Sequence, residues 1–162
     1  MTIAVVVGNP KPASRTLEAA GRLAKGLAGA APDTVVDLVD LGPKLLGWGD
    51  PDVAAAVEAV AGSSLAVFAS PTYKATFTGL LKLFLEQFEN RTGLAGVTAV
   101  PLMLGAGPRH ALAPEVHLRP VLSELGASCP LPALYLIDST YTTDGVLDEY
   151  VARWRPLLRT GH

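Results

Sequence analysis

At 162 residues the chain fits a single domain, long enough to bury roughly two-thirds of its unfolded surface without a metal or disulfide staple. Its 49% hydrophobic content excludes a disordered linker, and aromatics are only 6%, so the expected core is mostly Ala, Val and Leu. Thirteen basic against fifteen acidic residues leave a formal charge of −2 with no basic run able to neutralise a phosphate backbone, which excludes DNA and RNA as expected partners.

The opening residues Met1 to Gly8 carry no basic n-region, and their apolar stretch is too short for a signal peptide or a membrane span. They read as a strand. Cys129 is the sole cysteine, so no internal disulfide forms, and a cytoplasmic location is expected. No basic residue adjoins it in sequence, and it reads as a buried thiol rather than a reactive one.

Five apolar runs alternate with helical patterns: Ile3 to Val7, Val35 to Leu41, Leu65 to Ala69, Ala99 to Leu104, and Leu131 to Ile137. After the first run, Leu17, Ala20, Ala24, Leu27, Ala28 and Ala31 form the apolar stripe of a helix, with Ser14 or Thr16 as its cap. Gly42 to Pro51 is punctuated by Gly and Pro and reads as an irregular loop whose Leu45, Leu46 and Trp48 need burial. Asp50 and Pro51 then start a short helix with Val53, Val57 and Val60 on its buried side. After the third run, Phe77, Leu80, Leu81, Phe84, Leu85 and Phe88 make the clearest helical stripe in the chain. In the fourth helix Pro120 falls inside the pattern Leu118, Val121, Leu122, Leu125, so the helix either carries a kink or π-bulge or starts later. A last helix is expected from about Asp144 to Leu158.

Alternating strands and helices with right-handed crossovers most economically give an α/β flavodoxin-like three-layer sandwich. Its five-stranded parallel sheet has order 2-1-3-4-5 and helices on both faces. The switch point then lies between strands one and three, and the loops after these two strands stand out chemically.

The first loop, Gly8 to Thr16, contains neither G-x-G-x-x-G nor G-x-x-x-x-G-K-[ST]. It nevertheless enters a helix N-terminus with Asn9, Pro10, Lys11, Ser14, Arg15 and Thr16, so backbone amides, hydroxyls and two cations meet where the helix dipole favours an anion. An ordinary polar turn with an N-cap has the same composition. The second loop, Ser70-Pro71-Thr72-Tyr73-Lys74, offers a rigid turn, an aromatic face and backbone donors suited to a flat ligand. The third, Leu104-Gly105-Ala106-Gly107-Pro108-Arg109-His110, follows the fourth strand; its His110 reads as a ligand-positioning group or a helix cap.

These segments resemble those of the NAD(P)H-dependent FMN reductases of the flavodoxin-like superfamily. Gly8-Asn9-Pro10-Lys11 with Ser14 and Thr16 is similar to the family's G-S-P-R loop, with Asn9 in place of Ser and Lys11 in place of Arg. Ser70, Pro71, Thr72, Tyr73 and Lys74 stand at its T/S-P-x-Y segment, and Gly105, Ala106, Gly107 and His110 at its G-G-x-x-x-H turn, Ala106 replacing the second Gly. The resemblance implies that the first loop holds the FMN 5′-phosphate, the second passes the ribityl chain and isoalloxazine edge, and the third lies over the ring. It is strongest to the sulfonate-utilisation subgroup. There an inserted aromatic in the fourth helix makes a π-helix at a tetramer interface; Val116 holds that position here, with His117 beside it.

The resemblance further implies FMN and NADPH (or NADH) as cofactors, a homodimer or homotetramer, and a flavin-dependent monooxygenase as possible recipient of reduced FMN. A flavin-retaining quinone, azo or metal-oxyanion reductase, an electron-carrying flavodoxin, and a flavin-free scaffold are the alternatives. Hydride transfer through flavin needs no Ser-His-Asp triad or carboxylate pair, and the chain shows neither.

Overall fold

The computed structural model describes residues 1–159. Strand β1 (Ile3–Val7) is buried at every position, which is why it reads as an unbroken apolar run rather than an alternating one. Helix α1 (Arg15–Ala28) starts at Ser14, whose Oγ accepts from the Leu17 amide at 3.1 Å, and stops at Gly29, whose φ of 81° is the left-handed conformation that closes a helix. Strand β2 (Thr34–Asp37) leads through two 3₁₀ turns to α2 (Pro51–Ala61), where Asp50 accepts from the Asp52 and Val53 amides. Strand β3 (Leu65–Pro71) precedes α3 (Gly79–Leu85), and β4 (Thr98–Gly105) precedes a π-helical turn, Pro114–Leu118, that runs into α4 (Arg119–Glu124). Strand β5 (Leu134–Ile137) and α5 (Val146–Arg159) complete the order.

All pairings are parallel and the sheet order is β2-β1-β3-β4-β5, the flavodoxin-like arrangement expected from the alternation of elements. Successive strand residues point to opposite faces, so the core divides in two. Ala4, Val6, Ala66, Phe68 and Met103 pack under α2, α3 and α4, whereas Val5, Val7, Val67, Val100 and Leu102 pack under α1 and α5. Among the described residues no helix is long and apolar enough to cross a membrane.

Several expectations change in detail. The α1 stripe adds Ala19 and Leu23 to Ala20, Ala24 and Leu27, with Leu17 and Ala28 partly buried beside them; Ala31 lies beyond the glycine stop and is exposed. Strand β2 ends at Asp37 rather than Leu41, because the chain coils there into a 3₁₀ turn that buries Leu38. Gly42–Leu46 is also 3₁₀, and of the three apolar residues said to need burial only Leu45 is buried. Leu46 and Trp48 are exposed, carried outward on a Gly47–Gly49 turn that Gln87 Nε2 holds by the Gly47 carbonyl at 3.0 Å. Helix α3 stops at Leu85. Phe88 is buried all the same, since tight turns after Phe84 and Leu85 bring its ring edge-on to Phe84 at 5.2 Å.

The two readings of the fourth helix are both realised. A π turn occupies Pro114–Leu118, and regular α-helix begins at Arg119, with Pro120 in its first turn, where a missing N–H costs little. Glu115 and Arg119 form an ion pair at 2.6 Å, and Arg119 also donates to the Cys129 and Leu131 carbonyls, which fastens this turn to the segment before β5. Strand β5 starts at Leu134 rather than Leu131, past Pro130 and Pro132, whose missing N–H groups cannot join a ladder.

Candidate functional site

Strands β1 and β3 are neighbours, yet α1 leaves β1 toward one face of the sheet and α3 leaves β3 toward the other. The two following loops therefore part and leave a crevice at the carboxyl edge, the place where ligands enter such sheets. Buried hydrogen bonds fix its floor. The Gly8 amide donates to the Ala69 carbonyl at 2.8 Å. Thr78 Oγ1 donates to the Gly8 carbonyl at 2.5 Å and accepts from the Leu81 amide at 3.2 Å. Ser70 Oγ accepts from the Thr78 amide at 3.0 Å and donates to the Pro71 carbonyl at 2.7 Å. A Cβ on Gly8 would sit 2.5 Å from Leu81 Cβ, so only glycine lets α3 approach this closely.

Above this floor is a cleft of about 320 Å³ lined by Asn9, Lys11, Ser14, Arg15, Thr16, Pro71, Tyr73, Leu104 and Asp138. Five residues of the first loop and two of the second thus meet in one place. Asn9 closes its own loop: Oδ1 accepts from the Lys11 amide at 2.9 Å and Nδ2 donates to Thr16 Oγ1 at 3.1 Å. The Ser14 and Thr16 oxygens each accept an N–H bond, which leaves both hydroxyl protons to donate at the N-terminus of α1. Lys11 and Arg15 are exposed at the rim, and Arg15 Nη1 lies 3.8 Å from Asp138 Oδ1.

Backbone strain gathers at the same edge. Among the described residues four non-glycines have positive φ, and three belong to these loops: Ala13 at 49°, Lys74 at 51° and Ala75 at 71°. Lys74 and Ala75 are the central pair of a tight turn in which Tyr73 and Thr76 exchange amide bonds of 2.9 and 3.2 Å. Such conformations persist where surrounding structure holds them, and they concentrate at ligand sites. Tyr73 is about half exposed at the base of this hairpin, its ring available to a ligand.

Other predicted residues are placed differently. Pro10 is exposed and off the cleft wall, and Lys74 is exposed at the hairpin tip. Thr72 lies on the second loop with its hydroxyl buried beside Tyr135; burial pushes that phenol's pKa up, and the Thr72 hydroxyl draws it partly back. Its amide donates to the Leu104 carbonyl at 2.7 Å. Gly105 is buried against Tyr135, where a Cβ would fall 1.9 Å from the phenol oxygen, and Ala106 is exposed beyond it. Tyr135 OH donates to the Gly107 carbonyl at 2.6 Å. His110 lines a second cleft, of about 440 Å³, with Ala75, Arg109, Leu112, Val116 and His117. Of the third loop only Leu104 lines the first cleft, and Gly105 to His110 flank it.

Sequence reasoning named Ser70 only as part of the second loop, and missed Thr78, Tyr135 and Asp138. Asp138 had a usable signal, since it directly follows a predicted strand at the edge where function gathers. Asp37 ends β2 beside the first loop. Burial pushes its carboxyl pKa up, Asp40 adds to the rise, and the Ala13 and Val39 amides draw it partly back. An apolar groove of about 410 Å³, with Trp48, Phe88 and Pro120 in its walls, is lined by α3 and α4 and shares no residue with this edge of the sheet.

Residues 1–142 match the family described as NADPH-dependent FMN reductase. The FMN reductase (NADPH) of Escherichia coli (strain K12) is 38% identical over 73 residues, which is 45% of this chain and 38% of that protein. The protein of the same name from Pseudomonas putida is 37% identical over 73 residues, 45% of this chain and 36% of the relative. The matched stretch therefore spans well under half the length of these curated relatives. Among solved structures, the apo form of the NADH:FMN oxidoreductase EMOB superposes with a TM-score of 0.84 at 29% identity, over 96% of this chain and 89% of that one. An oxidoreductase from Corynebacterium diphtheriae shares the fold, with a TM-score of 0.81 at 22% identity over 96% and 93% of the two chains. By the match over residues 1–142, the chain belongs to the NADPH-dependent FMN reductase family.

Proposed function

We propose that this protein is an FMN reductase that takes reducing equivalents from NADPH or NADH. The observation that carries the reading is the meeting, in one cleft, of two free hydroxyl protons at the N-terminus of α1 with the Pro71–Tyr73 loop of the neighbouring strand. The residues present fit the group. Ser14 and Thr16 would donate to the 5′-phosphate at the positive end of the helix dipole, with Lys11 and Arg15 supplying charge. Tyr73 and the backbone of its hairpin would meet the planar ring. Bound flavin supplies the hydride-accepting centre, so the chain's work is to bind, orient and keep water from the reacting faces. Family membership and the names of the relatives support this reading, and those names include both NADPH and NADH.

A homodimer or homotetramer completes the proposal. Leu112 and Val116 are exposed on and beside the π turn, an apolar surface suited to a second subunit. Delivery of reduced FMN to a flavin-dependent monooxygenase, as in the sulfonate-utilisation subgroup, is the proposed use of the product. The test is oxidation of NADPH, and separately of NADH, by purified protein with and without added FMN. Turnover that saturates with FMN is expected; turnover indifferent to FMN, or none with either nicotinamide, would overturn the reading.

A further inference from the structure

The cleft carries its own countercharge. Asp138 is the one acidic residue among those lining it, and it sits among groups otherwise suited to an anion. Its position is fixed: it follows β5 directly, and its amide donates to the Gly105 carbonyl at 2.9 Å. Its Oδ1 lies 3.8 Å from Arg15 Nη1, and Arg15 is the first residue of α1, one of the two cations at the rim. The other cation, Lys11, lacks the planar fork that would grip a phosphate through two parallel bonds. The residue best able to clamp a phosphate is thus already engaged by a carboxylate inside the same cleft.

We propose that Asp138 weakens the cleft's hold on the FMN phosphate, by competing for Arg15 and by opposing the anion directly, so that FMN exchanges from the site. This rests on the reading of the cleft as the FMN site. Since Arg15 and Asp138 are partly exposed, with side chains 66% and 39% accessible, the effect is moderate and sensitive to salt. It acts only on a ligand that carries the phosphate, which separates it from a general effect on the flavin ring.

The test is a fluorescence titration of Asp138→Asn and the unaltered protein with FMN and with riboflavin, at low and high salt. The Asn variant is expected to bind FMN about three- to fivefold tighter at low salt, with a slower off-rate and an unchanged affinity for riboflavin. In an Arg15→Gln background the gain is expected to shrink, because the competition for Arg15 is gone. Unchanged FMN affinity in Asp138→Asn with a normal melting curve would overturn the proposal, as would equal shifts for FMN and riboflavin. An unaltered protein that binds neither flavin would overturn the FMN reading itself and this proposal with it.

Discussion

The Thr78 hydroxyl donates to the carbonyl of Gly8 across seventy residues of sequence, tying the end of β1 to the cap of α3. With the Gly8 amide bond to the Ala69 carbonyl, that contact helps join the two sides of the cleft. Thr78→Val removes both the cross-link and the cap while keeping the shape, at an expected cost of about 1–3 kcal/mol. A urea denaturation curve checks this; an unshifted midpoint would show that the loops are held together by other contacts.

Gly8 makes the approach possible, and its replacement should be costly where that of a glycine in open space is not. A methyl on Gly8 meets Leu81 and the Thr78 hydroxyl, so Gly8→Ala is expected to lose about 1–3 kcal/mol through overpacking. A Cβ on Gly107 meets nothing within 4 Å, and Gly107→Ala should stay within about 0.5 kcal/mol of the parent. Equal melting temperatures for the two variants would contradict the packing argument.

Tyr135 supports the third loop from beneath through the Gly107 carbonyl. Tyr135→Phe keeps the ring over Gly105 and removes the bond, an expected loss of about 0.5–1.5 kcal/mol. Thermal unfolding measures that loss, and FMN titration of the same variant shows whether the loop's placement affects the flavin. No change in either would assign the bond no role.

Asp37 gives a pH dependence of definite sign. Its folded pKa is raised above the ordinary value, so the fold favours the neutral carboxyl. Its contribution is present below the unfolded pKa and is lost as pH rises through the folded one, leaving a penalty at neutral pH. Asp37→Asn should therefore be more stable than the parent near pH 7, modestly so given partial exposure, with the gain fading as pH falls through the carboxylate range. Urea midpoints between acid and neutral pH check it; a variant less stable at pH 7 would contradict the sign.

The sheet was legible because both-face burial writes itself as unbroken apolar runs, as in Ile3 to Val7 and Leu65 to Ala69. The order 2-1-3-4-5 followed from crossover handedness, and it pointed to the loops after strands one and three. Seven of the nine residues lining the cleft carry the chemistry of those two loops, which is why local composition found them. Asp138 and Tyr135 come from β5 and its end, far away in sequence, and reach the site only through the register of β4 with β5. Trp48 shows the opposite limit: hydrophobicity said it needed burial, but nothing local says that the Gly47–Gly49 turn faces outward.

The central claim is that this cleft places FMN for reduction by a nicotinamide. The most direct measurement mixes the FMN-loaded protein anaerobically with NADPH, and separately with NADH, and follows the visible absorbance of the flavin. Rapid bleaching, stoichiometric with nicotinamide oxidised and far faster than for free FMN, is the expected result. FMN that binds and keeps its oxidised spectrum with both nucleotides would contradict the account.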